Sequence, residues 1–370
     1  MIKTYRNIPV LPIQEVLGSP KGRSEHKLGP IYPDWDGKNS ARFHRNGRPK
    51  DSRPTLKDGV KLTYLRGTFA WGGPIVDHFG HQIADFSTRL AMYKNIDCKY
   101  IFSVGQGKGY NLDSMPKFMA QLLDWFGIHP DCIYFVEQPV IVDKLIVAPQ
   151  QEQLSQVPPT DEYLSLMESL SSHHGINTNH QSGRYYISRA GQSKGVLAGE
   201  SYIESLLREN GFKVIRPEIL PLKEQLAIYA KASELVFSEG SAIYGIQLLG
   251  KIACDVHILQ RRPNRTIAKA CVQSRANSLN YYPVGKLVAG INKQGKPLAD
   301  AGITIVRVGD LRNLLDKLKL SPDLVDEKML SNHAREDVSR FMDNERKHKR
   351  AEVDGHIQTL EDQLYKLGLM

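Results

Sequence analysis

The sequence of 370 residues predicts an α/β fold with two sheet-containing domains. In the second half of the chain, strand-like and helix-like segments alternate three times, and this order is typical of a doubly wound sheet of parallel strands. The third of these strands ends at a Gly-Ser turn that leads directly into a helical segment. The length is sufficient for two domains of ordinary size, each with its own core.

The elements of the first half follow an irregular start. Residues 1–60 are rich in Pro, Gly and basic residues and show little periodicity, so we expect an irregular basic N-terminal arm. An N-terminal α/β domain is predicted over residues 61–150. Its predicted strands cover 61–65, 100–104, 133–136 and 144–147, and its predicted helices cover 77–93 and 116–126.

A polar segment, residues 151–182, separates the two domains. It carries Gln, Ser and a Pro-Pro pair around one amphipathic helix, which predicts a linker. The second α/β domain is predicted over residues 183–315. Its first predicted strand is the run 184–189, the second covers 212–215 and the third ends near 237. Its predicted helices cover 199–210 and 222–232.

Residues 316–370 are predicted to form C-terminal helices. Their last part carries an apolar stripe that we expect to pack on the first domain or on a second subunit. The stripe consists of Val353, Ile357, Leu360, Leu364 and Leu367.

The Gly-Ser turn, Glu239–Ala242, is a candidate phosphate site, and we call it the Gly240 turn. The first NH groups of a helix have no partner inside it and lie at the positive end of its dipole, so they favour an anion. Glu239 and Ser241 can cap the helix or contact a ligand, and Ala242 adds a backbone amide. The alternative is an ordinary strand-to-helix junction in which Gly240 only permits the turn.

Upstream, a strand-like run at 184–189 ends in Ser188 and Arg189. A parallel sheet presents groups to a ligand at its carboxyl edge, so Arg189 is a candidate to hold a phosphate. Lys194 is a further candidate because it lies in a glycine-flanked loop, 191–195, that follows directly.

His81, Asp85 and Arg89 are spaced four residues apart within the helix predicted over 77–93. This spacing puts all three on one helix face, where Asp85 can pair with either neighbour. One interpretation is a solvated face with a single salt bridge. A Gly-Gly-Pro segment before the helix favours the other interpretation, a shaped loop beside a ligand.

Several motifs together resemble glycosyltransferase family 61. Gly80-His81, Asp85 and Arg89-Leu90 are similar to the family's first-half helix. The others are Ile187-Ser188-Arg189, Gly199-Glu200, the Leu222–Gln225 helix start and the Glu239-Gly240-Ser241-Ala242 turn. Two positions differ from the common pattern: Gly199 stands where Asn is usual, and Tyr244 where His is common.

This resemblance implies a GT-B-like architecture, with two Rossmann-type domains facing across a cleft. It also implies inverting transfer of a hexosyl or pentosyl group from a nucleotide sugar to a glycan acceptor in capsule or lipopolysaccharide biosynthesis. His81 or Asp85 would be the catalytic base, with Arg89 alongside. Arg189, Lys194, Glu200 and the Gly240 turn would bind the donor. The alternative is a non-catalytic relative that binds nucleotide or glycan within an assembly.

A metal is not required by this chemistry, since arginine and helix amides can offset phosphate charge. Asp34-x-Asp36 is interpreted as part of an irregular loop, and His173-His174 with nearby His180 as solvated histidines. We therefore predict no metal and no cofactor beyond the nucleotide-sugar co-substrate.

The net charge of +9 is unevenly distributed. Residues 256–299 contain no Asp or Glu but eight basic residues: Arg261, Arg262, Arg265, Lys269, Arg275, Lys286, Lys293 and Lys296. Such a field attracts anions, including a nucleotide sugar, an anionic or lipid-linked glycan, or a bilayer surface. The chain has no nucleic-acid-binding signature.

Four scattered cysteines and the lack of an apolar leader predict a cytoplasmic protein, with peripheral contact at the inner membrane as an additional possibility.

Overall fold

The computed structural model describes residues 1–15, 25–107, 109–154, 156–177, 181–348 and 352–370. The strands are β1 Lys3–Glu15, β2 His26–Pro30, β3 His44–Arg45, β4 Arg48–Pro49, β5 Asp51–Ser52, β6 Thr63–Pro74, β7 Lys99–Ser103, β8 Ile133–Val136, β9 Val140–Val147, β10 Arg184–Ile187, β11 Leu197–Ala198, β12 Phe212–Ile215, β13 Glu234–Ser238, β14 Asp255–Gln260, β15 Ser278–Pro283, β16 Gly285–Ile291 and β17 Pro297–Val306. The α-helices are α1 Phe79–His81, α2 Lys117–Trp125, α3 Asp161–His173, α4 Glu200–Glu209, α5 Leu222–Lys231, α6 Lys269–Gln273, α7 Val308–Lys317, α8 Glu327–Lys347 and α9 His356–Tyr365.

The N-terminal lobe is built on a seven-stranded mixed sheet in the order β5-β2-β1-β9-β6-β7-β8. The prediction of an irregular arm is wrong for β1, which pairs antiparallel with β9 and buries Ile8, Val10 and Leu11. Its partner is distant in the sequence, and Pro9 and Pro12 weaken the local strand signal.

The C-terminal lobe contains a five-stranded parallel sheet in the order β12-β10-β13-β14-β15. Tyr186 of β10 lies between Val214 of β12 and Val236 of β13, which confirms the predicted parallel pairing of these segments. The chain passes from β10 to β12 on one side and then to β13 on the other. The connections therefore diverge between β10 and β13, and a ligand crevice is expected at their carboxyl ends.

The C-terminal helices pack on a small three-stranded sheet, β11-β17-β16, in the same lobe. Leu360 and Leu364 of α9 are buried together with Val288, Ile303 and Phe341. The expected packing of this stripe on the first domain is therefore wrong. The strands β16 and β17 form an antiparallel pair whose apolar face covers the stripe.

The two lobes share one continuous cluster of buried side chains. In it, Met119 of α2 and Leu226 of α5 come from different lobes, and Met167 and Leu170 come from α3. The helix predicted inside the linker is thus present, and its apolar side is part of the core instead of lying in a free connection. None of the helices in the described ranges combines the length and apolar character that a bilayer crossing needs.

Candidate active site

A cleft of about 680 Å³ lies where the two lobes meet beside the carboxyl edge of the parallel sheet. Its volume is in the range of small-molecule sites. The N-terminal lobe contributes Asp77, Phe79, Lys117, Phe118 and Gln121. The C-terminal lobe contributes Ser188, Arg189, Gln192, Pro217–Leu222, Gln225, Ser241 and Ala242.

Arg189 lies directly over the Gly240 turn. Gly240 has an extended backbone, and a Cβ added there would clash with the guanidinium Nη1 of Arg189, so the absence of a side chain lets the guanidinium lie against the turn. Nη2 of Arg189 donates to the Lys194 carbonyl at 2.9 Å, whereas Nε is buried and finds no acceptor in the described part of the chain. The guanidinium is therefore held at the turn and still has a hydrogen-bond donor without an acceptor among the described residues.

The helix after the turn, Ser241–Leu248, is a 3₁₀ helix, and no side chain caps its first turn. Ser241 and Ala242 line the cleft. The expected capping or ligand role of Glu239 is wrong, because this fully buried carboxylate accepts from the backbone amides of Arg261 and Arg262 at 2.8 and 2.9 Å. Glu239 thereby fastens the end of β14 to the end of β13.

Glu200 is also a buried positioning group. It accepts from the Arg189 amide at 2.8 Å, the Tyr186 hydroxyl at 2.9 Å and Ser188 Oγ at 3.3 Å. Burial raises the pKa of Glu200. These bonds set the direction of the chain after β10, so Glu200 orients Arg189 and does not itself line the cleft. Lys194 has an exposed side chain, and only its carbonyl contacts Arg189.

The segment carrying His81, Asp85 and Arg89 is not a regular helix. The short α1 continues as a π-helical turn, Gln82–Phe86, and then a 3₁₀ helix, Leu90–Tyr93. The wider π turn changes the register, so the expected single face with Arg89 is wrong. Arg89 is buried, and its Nη1 lies 3.4 Å from the Ala41 carbonyl.

His81 and Asp85 do form a pair, with 2.9 Å between Nδ1 and Oδ2. Asp85 is 1% exposed, whereas the His81 side chain is 46% exposed. Arg45 binds the same carboxylate through Nε at 3.2 Å and through a closer Nη2 contact. The carboxylate is therefore enclosed by its two partners, and the imidazole is the member of the cluster that solvent and a substrate can reach.

Arg45 comes from the β3–β4 hairpin, whose Asn46-Gly47 turn has positive φ at both residues. This Asn-Gly pair is the preferred sequence for such a two-residue turn. Gln150 fixes the hairpin to the site, since it accepts from the His44 amide at 2.7 Å and donates to the Asp85 carbonyl at 2.9 Å.

The His81 segment packs directly on the Gly240 turn. A Cβ added at Gly80 would lie 2.9 Å from Ser241 Cβ and 3.0 Å from the Tyr244 ring. The His78 and His81 rings are 4.5 Å apart, and burial lowers the pKa of His78. The two segments are thus in contact through Gly80, whereas neither His81 nor Asp85 is among the residues that line the cleft.

This arrangement coincides with the sequence comparison. Residues 79–251 match the family model described as Glycosyltransferase 61. These residues belong to glycosyltransferase family 61. The resemblance inferred from the motifs is confirmed, and it supports a glycosyltransferase role with a nucleotide-sugar donor and a glycan acceptor. No curated protein matches the chain in a sequence comparison.

Two arginines outside the family 61 match were missed as site residues. Arg45 carried no local signal, because its partner Asp85 lies 40 residues away. Arg261 directly follows β14 at the carboxyl edge of the sheet, and the strand-end rule applied to Arg189 could have found it. Arg261 is 6% exposed, and its Nη1 makes no hydrogen bond to any described residue.

The candidate metal ligands that the sequence suggested have other partners. Asp34 accepts from Lys3 Nζ at 2.8 Å and from Asn39 Nδ2 at 2.9 Å. His174 stacks on Trp125 and its Nε2 lies 2.8 Å from the Trp125 carbonyl, while His180 lies outside the described residues. Over the described ranges, no group of three or more His, Cys, Asp or Glu side chains is arranged to hold a metal.

Proposed function

We propose that this chain is an inverting glycosyltransferase with a GT-B-like arrangement. It would transfer a sugar from a nucleotide-sugar donor to a glycan acceptor in surface polysaccharide biosynthesis, acting in the cytoplasm or at the inner membrane surface. The observation that carries the proposal is the packing of Gly80 against Ser241 and Tyr244. Gly80 directly precedes His81 in the chain, and Ser241 lines the cleft together with Arg189. His81 itself is half-exposed and is not among the residues that line the cleft, so the acceptor must reach from the cleft to the imidazole.

The donor would bind in the cleft with its diphosphate at Arg189 and at the amides of Ser241 and Ala242. Unpaired amides and a guanidinium stabilise the negative charge that grows on the departing diphosphate. The nucleoside would lie between Pro217–Leu222 and the side chains of α2 that line the opposite wall. This segment follows β12, beside the crevice between β10 and β13.

His81 would act as the general base. His81 Nδ1 lies 2.9 Å from Asp85 Oδ2 and 3.3 Å from Nη2 of Arg45. With Nδ1–H donated to the nearer carboxylate, Nε2 is left to accept the proton of the acceptor hydroxyl. The acceptor oxygen then attacks the anomeric carbon while the bond from that carbon to the phosphate oxygen breaks on the opposite face, which inverts the configuration. Arg45 would hold the Asp85 carboxylate in place during this step. This assigns Asp85 an orienting role and His81 the proton transfer.

The second candidate is a non-catalytic component that binds nucleotide or glycan. The His81–Asp85 pair favours catalysis, because a buried carboxylate that orients a half-exposed imidazole is not needed for binding alone.

The test is a His81→Gln variant assayed for sugar transfer with a panel of nucleotide sugars. Removing a general base is expected to lower kcat by about 10²- to 10⁴-fold. Affinity for the nucleoside diphosphate should stay near that of the wild type, as measured by calorimetry. His129→Gln is the matched control, because His129 is 71% exposed and does not contact Asp85, Arg45 or the residues that line the cleft in any described interaction. Unchanged turnover in His81→Gln would remove His81 as the base, and a wild-type protein that binds donor without turnover would favour the second candidate.

A further inference from the structure

Arg261 stands at the end of β14, beside the strand that leads into the Gly240 turn. Its main chain is fixed on both sides: the amide donates to Glu239 at 2.8 Å, and the carbonyl accepts from Thr304 Oγ1 at 2.6 Å. The side chain lies against Gly195. A Cβ added at Gly195 would be 2.8 Å from the guanidinium carbon of Arg261.

The guanidinium of Arg261 is buried without a carboxylate of its own. Its Nε is 3.5 Å from the Glu239 carbonyl, and its Nη1 has no hydrogen-bond partner within the described residues. Glu239 is already used by Arg262 and by two backbone amides. Burial lowers the pKa of Arg261 to about 10, with Glu239 acting in the opposite direction and Arg262 and Arg189 adding to the lowering.

An unpaired buried charge is costly, so its retention calls for a compensating anion. Arg189 and Arg261 both contact the short segment Lys194–Gly195, one through the Lys194 carbonyl and the other beneath Gly195. In the described ranges, neither guanidinium forms an ion pair with a carboxylate, and Nε of Arg189 and Nη1 of Arg261 are both buried and unpaired. Two cations with free donors on one segment match an anion that bears several oxygens.

We infer that Arg261 is a second guanidinium ligand of a diphosphate, which it would bind together with Arg189 beneath the Lys194–Gly195 segment. The inference rests on the proposed function in that the diphosphate is part of the donor. Arg261 does not line the open cleft, so the segment 191–195 must shift when the anion binds. Gly191 and Gly195 stand at the two ends of this segment. Their φ angles, +87° and +65°, are ones that glycine adopts without strain.

The experiment compares Arg261→Met with the wild type by calorimetry, using inorganic pyrophosphate and nucleoside diphosphates as ligands. Loss of a charge-assisted bidentate contact should weaken binding of both ligands by about 10-fold or more. Arg265→Met is the matched control, because Arg265 is exposed on the same basic segment, and its affinities should stay within about 2-fold of the wild type. Thermal unfolding verifies that each variant is folded.

Arg261→Lys separates charge from packing. It keeps a positive charge, so it should bind pyrophosphate more tightly than Arg261→Met. The inference is overturned if Arg261→Met binds as tightly as the wild type, if Arg265→Met loses as much affinity, or if the lysine variant is no better than the methionine variant.

The outcomes also separate this inference from the proposed function. A wild-type protein that binds pyrophosphate but no nucleotide supports the anion site and contradicts the donor proposal. Normal nucleotide binding by Arg261→Met contradicts only the role of Arg261. Absence of both pyrophosphate and nucleotide binding by the wild type contradicts both.

Discussion

Buried arginines lie at both ends of the 3₁₀ helix Ser241–Leu248, but their hydrogen bonding differs. At its far end, Arg275 donates to the carbonyls of Gln247 and Leu249 at 3.1 and 2.9 Å and forms two bonds of 2.8 and 2.9 Å with Glu152. At its beginning, Arg189 and Arg261 each retain a buried nitrogen without a partner among the described residues.

This difference in hydrogen bonding distinguishes an arginine that stabilises the fold from arginines that are available to bind a ligand. Burial acts to lower the pKa of Arg275, yet the charge and hydrogen bonds of Glu152 raise it above the ordinary value. Burial without such a partner lowers the pKa of Arg261. The saturated arginine anchors the helix through its carbonyl end, where a cation is favourable. Arg189 and Arg261, which have unpaired donors, lie at the amide end of the helix and can bind a ligand there. Their unpaired buried charge lowers the stability of the free protein.

The largest expected loss of stability comes from removing Arg275, whose hydrogen bonds are all satisfied. Arg275→Met leaves Glu152 buried and uncompensated, which should lower the free energy of unfolding by about 3–5 kcal/mol. Urea titration followed by tryptophan fluorescence measures the loss. The double variant Glu152→Leu, Arg275→Met should recover part of it, because the stranded charge is removed. A loss below about 1 kcal/mol in the single variant would contradict the anchoring role.

The next effect is a dependence of stability on pH that His26 causes. Unlike an arginine, this buried side chain can lose its proton and be neutral at neutral pH. Burial lowers the pKa of His26 from 6.5 to about 4. Between these values the unfolded chain binds a proton that the folded protein does not, so stability falls as the pH drops from 6.5 to 4. The full loss is about 3 kcal/mol.

His26→Phe should remove this pH dependence, since His26 already packs edge-on against the rings of Phe43 and Phe86. Urea midpoints between pH 7 and 4 measure it. Equal slopes for variant and wild type would exclude His26 as the cause.

The third prediction concerns the stability of the ligand-free protein when Arg261, which has an unpaired donor, is replaced. Arg261→Met should not destabilise the free protein, and at neutral pH it should raise the free energy of unfolding by up to about 1 kcal/mol. Because the folded pKa lies below the ordinary value, the charged side chain destabilises the fold at every pH below about 10, and this cost falls as the pH rises further. The advantage of the variant should therefore shrink above pH 10. A loss as large as that of Arg275→Met would make Arg261 a structural residue.

The smallest effect on stability is expected for Gly240→Ala. The new Cβ displaces the flexible end of Arg189, so unfolding should change by less than about 1 kcal/mol, while pyrophosphate affinity falls about 10-fold. Gly309→Ala is the control, because no atom lies within 4 Å of a Cβ added there. If pyrophosphate binding by Gly240→Ala matches the control, Arg189 is not held at the turn by its contact with Gly240.

Much of this molecule follows from local patterns. The strands Ile133–Val136 and Phe212–Ile215 lie at their predicted bounds, and Arg184–Ile187 covers the first four residues of the run predicted over 184–189. The parallel order around β10 agrees with the alternation of segments. The pairing of His81 with Asp85 was one of the two that helical spacing allowed. These features depend on residues within a few turns or on a repeated strand-helix order, and such information is carried by short stretches of chain.

Tertiary structure decided which polar groups are satisfied. The sequence by itself determined that Arg189 ends the strand-like run at β10, that a Gly-Ser turn follows β13 and that His81 precedes Asp85 by one helical turn. Only the folded chain brings Arg45 to Asp85, inserts β1 beside β9 and leaves Arg261 buried without a carboxylate. The physical reason is that hydrogen-bond partners at long sequence separation depend on the packing of whole elements, which no local periodicity encodes.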